Sequence, residues 1–124
     1  MNLNKEMIYS LLKTVPKGRV TTYKELAEAV GSISYRAVGL YLRNNPYSYI
    51  TCPEQSQRIP CHRVVRSDGT IGGFMGETCG PAIQKKIRLL SNEGVIVRNG
   101  RVINFNKKVF TFERRLLRRC ENTL

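Results

Sequence analysis

The segment Cys61-His62-Arg63 places a thiol, an imidazole and a guanidinium on consecutive residues. The reactive form of a cysteine is the thiolate, and cationic neighbours lower the pKa of the thiol. Of the four cysteines in the chain, Cys61 alone has such neighbours on its C-terminal side. These residue types favour a nucleophilic role for Cys61; the alternative is a buried cysteine that packs as a small apolar side chain.

A nucleophilic cysteine needs a base, and His62 is the single histidine of the chain. Side chains of adjacent residues in an extended segment point to opposite faces. We therefore expect His62 to reach Cys61 only across a turn or through a water molecule. The imidazole also needs a carboxylate that orients it. Spacing leaves four glutamates open for that place, namely Glu25, Glu28, Glu77 and Glu93.

Two short helices are predicted upstream of this segment. Thr22 and Glu25 have the spacing of a capping box, which begins a helix that Gly31 ends. Ser34 is the predicted N-cap of a second helix, which Pro46 ends. Two short helices joined by a tight glycine-containing turn are typical of a helix-turn-helix, although an ordinary helical hairpin has the same pattern.

The second of these helices has an unusual composition. Arg36, Gly39 and Arg43 are spaced by three and four residues, so they share one face. A glycine inside a helix costs about 1 kcal/mol relative to alanine. Its presence between two arginines favours close approach of the helix to a surface such as a DNA groove. Packing of Gly39 against another helix is the alternative.

The region that follows residue 70 combines a glycine-rich loop, a helix and a hairpin. Residues 71–80 contain repeated glycines, which predicts a loop that closely approaches a ligand or another backbone. Pro81 begins a helix that Gly94 ends. Asn99-Gly100 between two apolar stretches predicts a hairpin. We expect residues 110–124 to form a basic helix. Its alternatives are a solvated surface, a further phosphate contact and a contribution to the core.

Composition limits the partners of the chain. Its 124 residues predict a single domain, and 21 lysines and arginines against 9 acidic residues give a net charge of +12. This excess favours nucleic acid as the partner, with an anionic membrane surface or a solvated basic face as alternatives. No apolar run reaches the ~20 residues of a membrane span, and no signal-peptide segment is present. We expect a cytoplasmic protein with free thiols.

The motifs described above resemble those of the O6-alkylguanine-DNA alkyltransferases, also called methylated-DNA–protein-cysteine methyltransferases. The segment from Ile59 to Val64 resembles the active-site motif of that family, and the resemblance extends from about Leu11 to Arg98. The other matching motifs occur in the order of the family. Residues 20–27 and 36–39 resemble its helix-turn-helix, and residues 44–46 resemble the hinge turn that follows it. Residues 71–74 resemble the substrate loop, and residues 85–94 resemble the final helix with its glutamate.

This resemblance implies a single-use repair reaction. The family flips an alkylated guanine, and possibly O4-alkylthymine, out of double-stranded DNA, as enzymes that modify bases must. Cys61 would take the alkyl group irreversibly, and His62 would act as its base through a water molecule. Glu93 would orient His62, and Asn45 would brace the turn beside the active-site segment. Neither a metal nor an organic cofactor is expected.

The resemblance also implies the residues that contact DNA and the flipped base. Arg36 would fill the place of the flipped base, and Tyr23 would contact the phosphate and the guanine. The family binds in the minor groove, where little sequence is read; we expect a monomer there and no membrane partner. The remaining DNA contacts implied are Thr22, Ala37, Gly39 and Arg43, and the substrate contacts are Tyr23, Val64, Phe74, Met75 and Gly76.

Three features depart from the family pattern. The N-terminal domain that family members usually carry is absent, as it is in alkyltransferase-like proteins, which bind damage without transfer. The segment from Asn45 to Cys61 is longer than expected. Phe74 and Met75 stand where a tyrosine and a small hydroxyl residue are expected, which makes the pocket more apolar. A binding-only protein and a helix-turn-helix transcription factor are therefore the alternatives.

These elements predict a mainly helical α+β fold: a winged-helix-like helix-turn-helix domain with the Cys61 segment and a small C-terminal hairpin. Residues 1–124 are predicted to form one domain, in which residues 105–124 are a basic C-terminal extension.

Overall fold

Three helices form the N-terminal half of the structure. The computed structural model describes residues 3–31 and 34–112. Thr22 and Ser34 cap two of these helices as predicted, because their hydroxyls accept hydrogen bonds from the backbone N–H groups of Glu25 at 3.0 Å and Ala37 at 3.1 Å. The helices are α1 (Leu3–Leu12), α2 (Tyr23–Ala29) and α3 (Tyr35–Arg43).

The main apolar core lies among these three helices. Ile8, Leu12, Leu26 and Val38 are completely buried there. The Cys61 segment contributes Ile59 and Cys61 to this core, and the substrate loop contributes Phe74. The helix-turn-helix, the cysteine and the loop are therefore held on one packed body.

A short parallel strand pair joins the start of α2 to the cysteine segment. Strand β1 (Thr21–Thr22) pairs with β2 (Val64–Val65), with Thr21 opposite Val64. All of these residues are buried. This pair has no signal in the sequence, because two-residue strands have no periodicity to detect. The β1–β2 pair holds the cysteine turn, residues Cys61–Arg63, next to the helix-turn-helix.

The C-terminal half follows the sequence predictions for the helix and hairpin. Helix α4 (Pro81–Asn92) has Pro81 in its first turn. Strands β3 (Val97–Arg98) and β4 (Arg101–Val102) form an antiparallel hairpin. Asn99 and Gly100 have φ values of +52° and +75°, as a type I′ turn requires.

The residues after the hairpin complete the core instead of forming the predicted helix from residue 110. A short helix, α5 (Phe105–Lys108), is followed by extended chain, in which Phe110 N–H donates to the carbonyl of Val20 at 2.6 Å. Phe112 belongs to the main core. The prediction of a helix is thus wrong for residues 110–112, and its remainder, 113–124, lies outside the described residues.

The described structure confirms the mainly helical α+β fold class. Its small strand pairs connect helices and do not form an extended sheet. None of the helices in the described ranges is long and apolar enough to cross a lipid bilayer.

Candidate active site

The segment that carries Cys61 is a tight turn, not an extended strand. Cys61–Arg63 form one turn of 3₁₀ helix, which immediately precedes β2. Cys61 is only 6% exposed, yet it lines a cavity of about 800 Å³. Successive side chains in a 3₁₀ turn diverge by about 120°, so the turn does not direct the side chains of Cys61 and His62 at each other, and a route through a water molecule remains the expectation.

His62 is completely buried and bonded to Glu93. The distance between His62 Nε2 and Glu93 Oε2 is 3.0 Å. Of the four glutamates that spacing left open, Glu93, the C-cap of α4, is the one whose bond to His62 the structure shows. His62 Nδ1 is buried without a hydrogen-bond partner among the described residues. Burial lowers the pKa of His62, although the hydrogen bond to Glu93 opposes this; the imidazole is thus neutral at pH 7 with one nitrogen open to act as a base.

Arg63 is the second partner of Glu93, and the sequence analysis missed this role. Arg63 Nε donates to Glu93 Oε1 at 2.9 Å and Nη2 donates to Oε2 at 2.6 Å, which is a bidentate pair. Its Nη1 donates to the carbonyl of Val15 at 2.9 Å. Burial opposes ionisation of Glu93, but hydrogen bonds from His62 and Arg63 lower its pKa to about 2. Glu93 therefore stays charged at neutral pH.

Asn45 lies beside Cys61 in spite of the long segment that separates them in sequence. Its Nδ2 donates to the carbonyl of Ile59 at 3.2 Å, and its Oδ1 accepts from the N–H of Tyr47 at 2.9 Å. Burial raises the pKa of the Cys61 thiol, while a hydrogen bond with Asn45 and the charge of Lys86 act in the opposite direction. The resting cysteine is thus a protonated thiol that needs a base.

Lys86 is a buried cation that the sequence analysis did not name. It is completely buried, and its Nζ donates to the carbonyls of Val64, Ile71 and Gly73 at 2.7, 2.5 and 2.9 Å. Burial lowers the pKa of Lys86 to about 7, but three carbonyl acceptors match the three N–H groups of an ammonium and favour its charged form. The signal was available, because Lys86 falls on the apolar stripe of α4 between Ile83 and Leu90.

The mouth of the cavity is formed by α3 and is exposed. Arg36, Gly39 and Arg43 all line it, and Tyr35 and Leu40 beside them are 53% and 49% exposed. A Cβ atom placed on Gly39 would meet no described atom within 4 Å. Gly39 therefore does not pack against any helix of the described ranges, and among those residues its face is an open surface.

The predicted substrate loop forms the opposite wall of the cavity. Phe74 is buried, and Phe74 and Glu77 exchange two backbone hydrogen bonds of 2.9 Å around a tight turn. The central residues of this turn, Met75 and Gly76, have φ values of +53° and +82°. Gly76 packs closely on Arg43, since a Cβ there would lie 2.9 Å from Arg43 Nε. Met75 is 40% exposed at the rim.

Tyr23 also lines the cavity, and its hydroxyl donates to the carbonyl of Gly73 at 3.4 Å. Three other residues predicted to contact DNA or substrate, Thr22, Ala37 and Val64, are not among those that line the cavity. Thr22 is 4% exposed and its hydroxyl caps α2. The N–H of Ala37 bonds the cap of α3, and Val64 is buried outside the cavity lining with its carbonyl bonded to Lys86. Thr22, Ala37 and Val64 therefore support the elements around the site in this structure.

A cysteine that lines a cavity beside α3, followed in the chain by a buried histidine bonded to a glutamate, matches one family in particular. The family model for the DNA-binding domain of 6-O-methylguanine DNA methyltransferase matches residues 4–95. The chain belongs to the 6-O-methylguanine DNA methyltransferase family. A bifunctional methyltransferase/endonuclease of Picrophilus torridus is 40% identical over 96 residues. That alignment covers 77% of this chain and 28% of the relative, so the chain spans a minor part of that protein.

Solved structures of the methyltransferase family include both transferases and alkyltransferase-like proteins. The O6-methylguanine-DNA methyltransferase of Pyrococcus kodakaraensis is 38% identical with a TM-score of 0.58, and the match covers 77% of this chain and 48% of that one. Schizosaccharomyces pombe Atl1, solved with damaged DNA that contains O6-carboxymethylguanine, is 25% identical with a TM-score of 0.71. Its match covers 90% of this chain and 98% of Atl1.

Proposed function

We propose that this protein repairs DNA by irreversible transfer of an alkyl group from O6-alkylguanine to Cys61. The observation that carries the proposal is the position of Cys61 on the floor of a cavity, next to a buried His62–Glu93 pair. A nucleophile, its base and the group that orients the base are the minimum set for covalent transfer. Membership of the methyltransferase family supports the same reaction.

In the proposed reaction the proton and the alkyl group move in opposite directions. His62 Nδ1, which is open, accepts the Cys61 proton through a water molecule, and the charge of Glu93 stabilises the imidazolium. The thiolate attacks the alkyl carbon; an S–C bond forms and the C–O6 bond breaks. The electron pair of the C–O6 bond stays on guanine, whose N1 takes up a proton from solvent, while the imidazolium of His62 releases one, so that the Cys61 proton is accounted for. The thioether is stable, so each molecule reacts once.

The cavity mouth is proposed to bind double-stranded DNA through its minor groove. Arg36 and Arg43 lie on the exposed face of α3, and Gly39 leaves open space between them. Because the target atom of a stacked guanine is inaccessible, the base must leave the helix. Arg36 would occupy the vacated position, while Tyr23, Phe74 and Met75 would surround the flipped base.

Binding of alkylated DNA without transfer is the second candidate function. The similarity to Atl1, which extends over 98% of the length of that protein, favours it. Met75 also places an apolar side chain at the rim where a hydroxyl was expected. Cys61 favours transfer, because a protein that only binds does not need a nucleophile beside a base.

Intact-protein mass spectrometry after incubation with duplex DNA that contains O6-methylguanine separates the two candidates. Transfer predicts a gain of one methyl group in the wild-type protein and no gain in Cys61→Ala. A wild-type protein that binds the modified duplex in preference to the unmodified one, but gains no mass, would refute transfer and support the Atl1-like function.

A further inference from the structure

The long segment between Asn45 and Cys61 is folded tightly against the protein. Cys52 N–H donates to the carbonyl of Ser48 at 2.9 Å, and Arg58 Nε donates to the carbonyl of Cys52 at 2.8 Å. Ser48 and Cys52 are 2% and 6% exposed. These contacts fix the conformation of the segment, so the residues that it carries have defined positions.

Tyr49, in the middle of this segment, lies against the candidate base. The rings of Tyr49 and His62 have centroids 4.7 Å apart and an interplanar angle of 63°, which is an edge-to-face contact. Arg63 lies over the Tyr49 ring at 5.4 Å from its centroid, and Arg58 lies at 5.7 Å. Arg63 Nη2 also donates to the Tyr49 hydroxyl at 3.4 Å. One side chain thus contacts both partners of Glu93.

The surroundings of His62 explain what this contact does. Helix α4 contributes Lys86 and its C-cap Glu93, and the turn of His62 contributes Arg63. Tyr49 supplies the uncharged face. An aromatic ring at this position shields the imidazole from bulk solvent, and lower solvent exposure strengthens the interaction of the imidazole with Glu93; a single bound water between Nδ1 and Cys61 is compatible with this shielding.

We propose that Tyr49 is a positioning residue that holds His62 in register with Glu93 and shields the ring from bulk solvent. The long segment is thereby assigned a role in the reaction. The part of this inference that concerns the transfer rate rests on the proposed function, whereas the part that concerns the state of His62 does not.

The single histidine of the chain makes the inference directly measurable, because its imidazole resonances in an NMR spectrum need no assignment. We expect a wild-type His62 pKa below its ordinary value of 6.5. Tyr49→Leu, which retains apolar bulk, moves this pKa upward as bulk solvent reaches the ring. Tyr49→Phe retains the edge contact and leaves it low. Tyr47→Leu is the matched control, since Tyr47 is 39% exposed and bonds Asn45 and Ile59 through its backbone.

The transfer rate gives a second readout. In Tyr49→Leu we expect the rate with a free-base O6-alkylguanine analogue to fall about fivefold, and its acid limb to move to higher pH. Tyr49→Phe and Tyr47→Leu stay near the wild-type profile. An unchanged His62 pKa in Tyr49→Leu, or an equal shift in Tyr47→Leu, overturns the proposal.

Two further outcomes distinguish failure of the positioning role of Tyr49 from failure of the proposed transfer reaction. If no variant transfers, wild type included, but the His62 pKa moves in Tyr49→Leu alone, the positioning role stands and the transfer proposal fails. If Tyr49→Leu does not fold, proton–proton contacts between the Tyr49 and His62 rings in the wild-type NMR spectrum decide the matter: their presence supports the proposal and their absence overturns it.

Discussion

The cysteine turn and the cavity mouth are built in opposite ways. At the turn, His62 and Lys86 are completely buried, and both make hydrogen bonds of 3.0 Å or less. At the mouth, Tyr35 and Leu40 are about half exposed, and Gly39 faces open space. The side chains at the turn are therefore held in place without a substrate, whereas the side chains at the mouth are exposed and free to contact a second molecule.

Charge follows the same division. At the turn, Glu93 is shared by His62 and Arg63, so opposite charges meet at hydrogen-bond distance. At the mouth, Arg36 and Arg43 occupy one exposed helix face. A polyanion is the partner that such a face would neutralise. We therefore expect substitutions at the turn to change the rate of transfer, and substitutions at the mouth to change the binding of duplex DNA.

The largest effect is expected from Glu93→Gln, which removes the charge at the turn. The rate of transfer should fall about 100-fold, since His62 loses the carboxylate that stabilises its charged form. The free energy of unfolding should fall by about 3 kcal/mol, because Arg63 is left buried without its counter-ion. Duplex affinity should be retained. Single-turnover kinetics, urea denaturation and DNA titration measure the three quantities, and an unchanged rate would remove Glu93 from the reaction.

The next largest effect is expected at the mouth. Arg36→Ala should reduce transfer from duplex DNA about tenfold, because stabilisation of the flipped state is lost, and leave the reaction with a free-base analogue unchanged. Arg88→Ala removes the same charge from an exposed position of α4 outside the cavity lining and serves as the control. Equal losses of Arg36→Ala on both substrates would contradict a role in base flipping.

Gly39→Ala sharpens the comparison, since stability and binding should change in opposite directions. A methyl group at Gly39 meets no described atom within 4 Å, so the free energy of unfolding should rise by about 1 kcal/mol. The same methyl group should weaken duplex binding if α3 approaches DNA closely. Unchanged affinity in a DNA titration would show that the helix backbone stays away from the groove.

The smallest effect concerns pH. Folding lowers the pKa of His62 through burial, so between pH 6.5 and pH 5 the unfolded chain binds the proton more readily than the folded one. The free energy of unfolding should therefore decrease as pH falls through this range, as measured by urea denaturation. His62→Gln should have a shallower dependence. A wild-type stability that rises toward pH 5 would contradict the buried neutral imidazole.

Local sequence rules predicted much of the fold. The caps at Thr22 and Ser34, the proline at the start of α4 and the Asn99-Gly100 turn depend on neighbouring residues, so spacing reveals them. The β1–β2 pair joins residues that are far apart in the chain and too short for any pattern. The docking of Phe112 depends in the same way on a core that local rules do not describe.

The candidate site was predictable in its residue types but not in its contacts. Residue types and spacing could name Cys61 and His62 but left four glutamates open; the resemblance to the alkyltransferases named Glu93, and its contact with His62 depends on the end of α4 meeting the turn. Lys86 and Tyr49 were missed for different reasons. Lys86 had a signal in the apolar stripe of its helix, whereas Tyr49 lies in a polar segment that has no periodicity at all.

The most direct test measures the transfer rate of two variants, Glu93→Gln and Arg36→Ala. Each variant is measured twice, once with alkylated duplex DNA and once with a free-base analogue. The account predicts that Glu93→Gln lowers both rates by the same factor, because the turn performs the reaction on either substrate. It predicts that Arg36→Ala lowers only the duplex rate. If both variants change the ratio of the two rates equally, the cysteine turn and the cavity mouth do not have separate roles, and the account is contradicted.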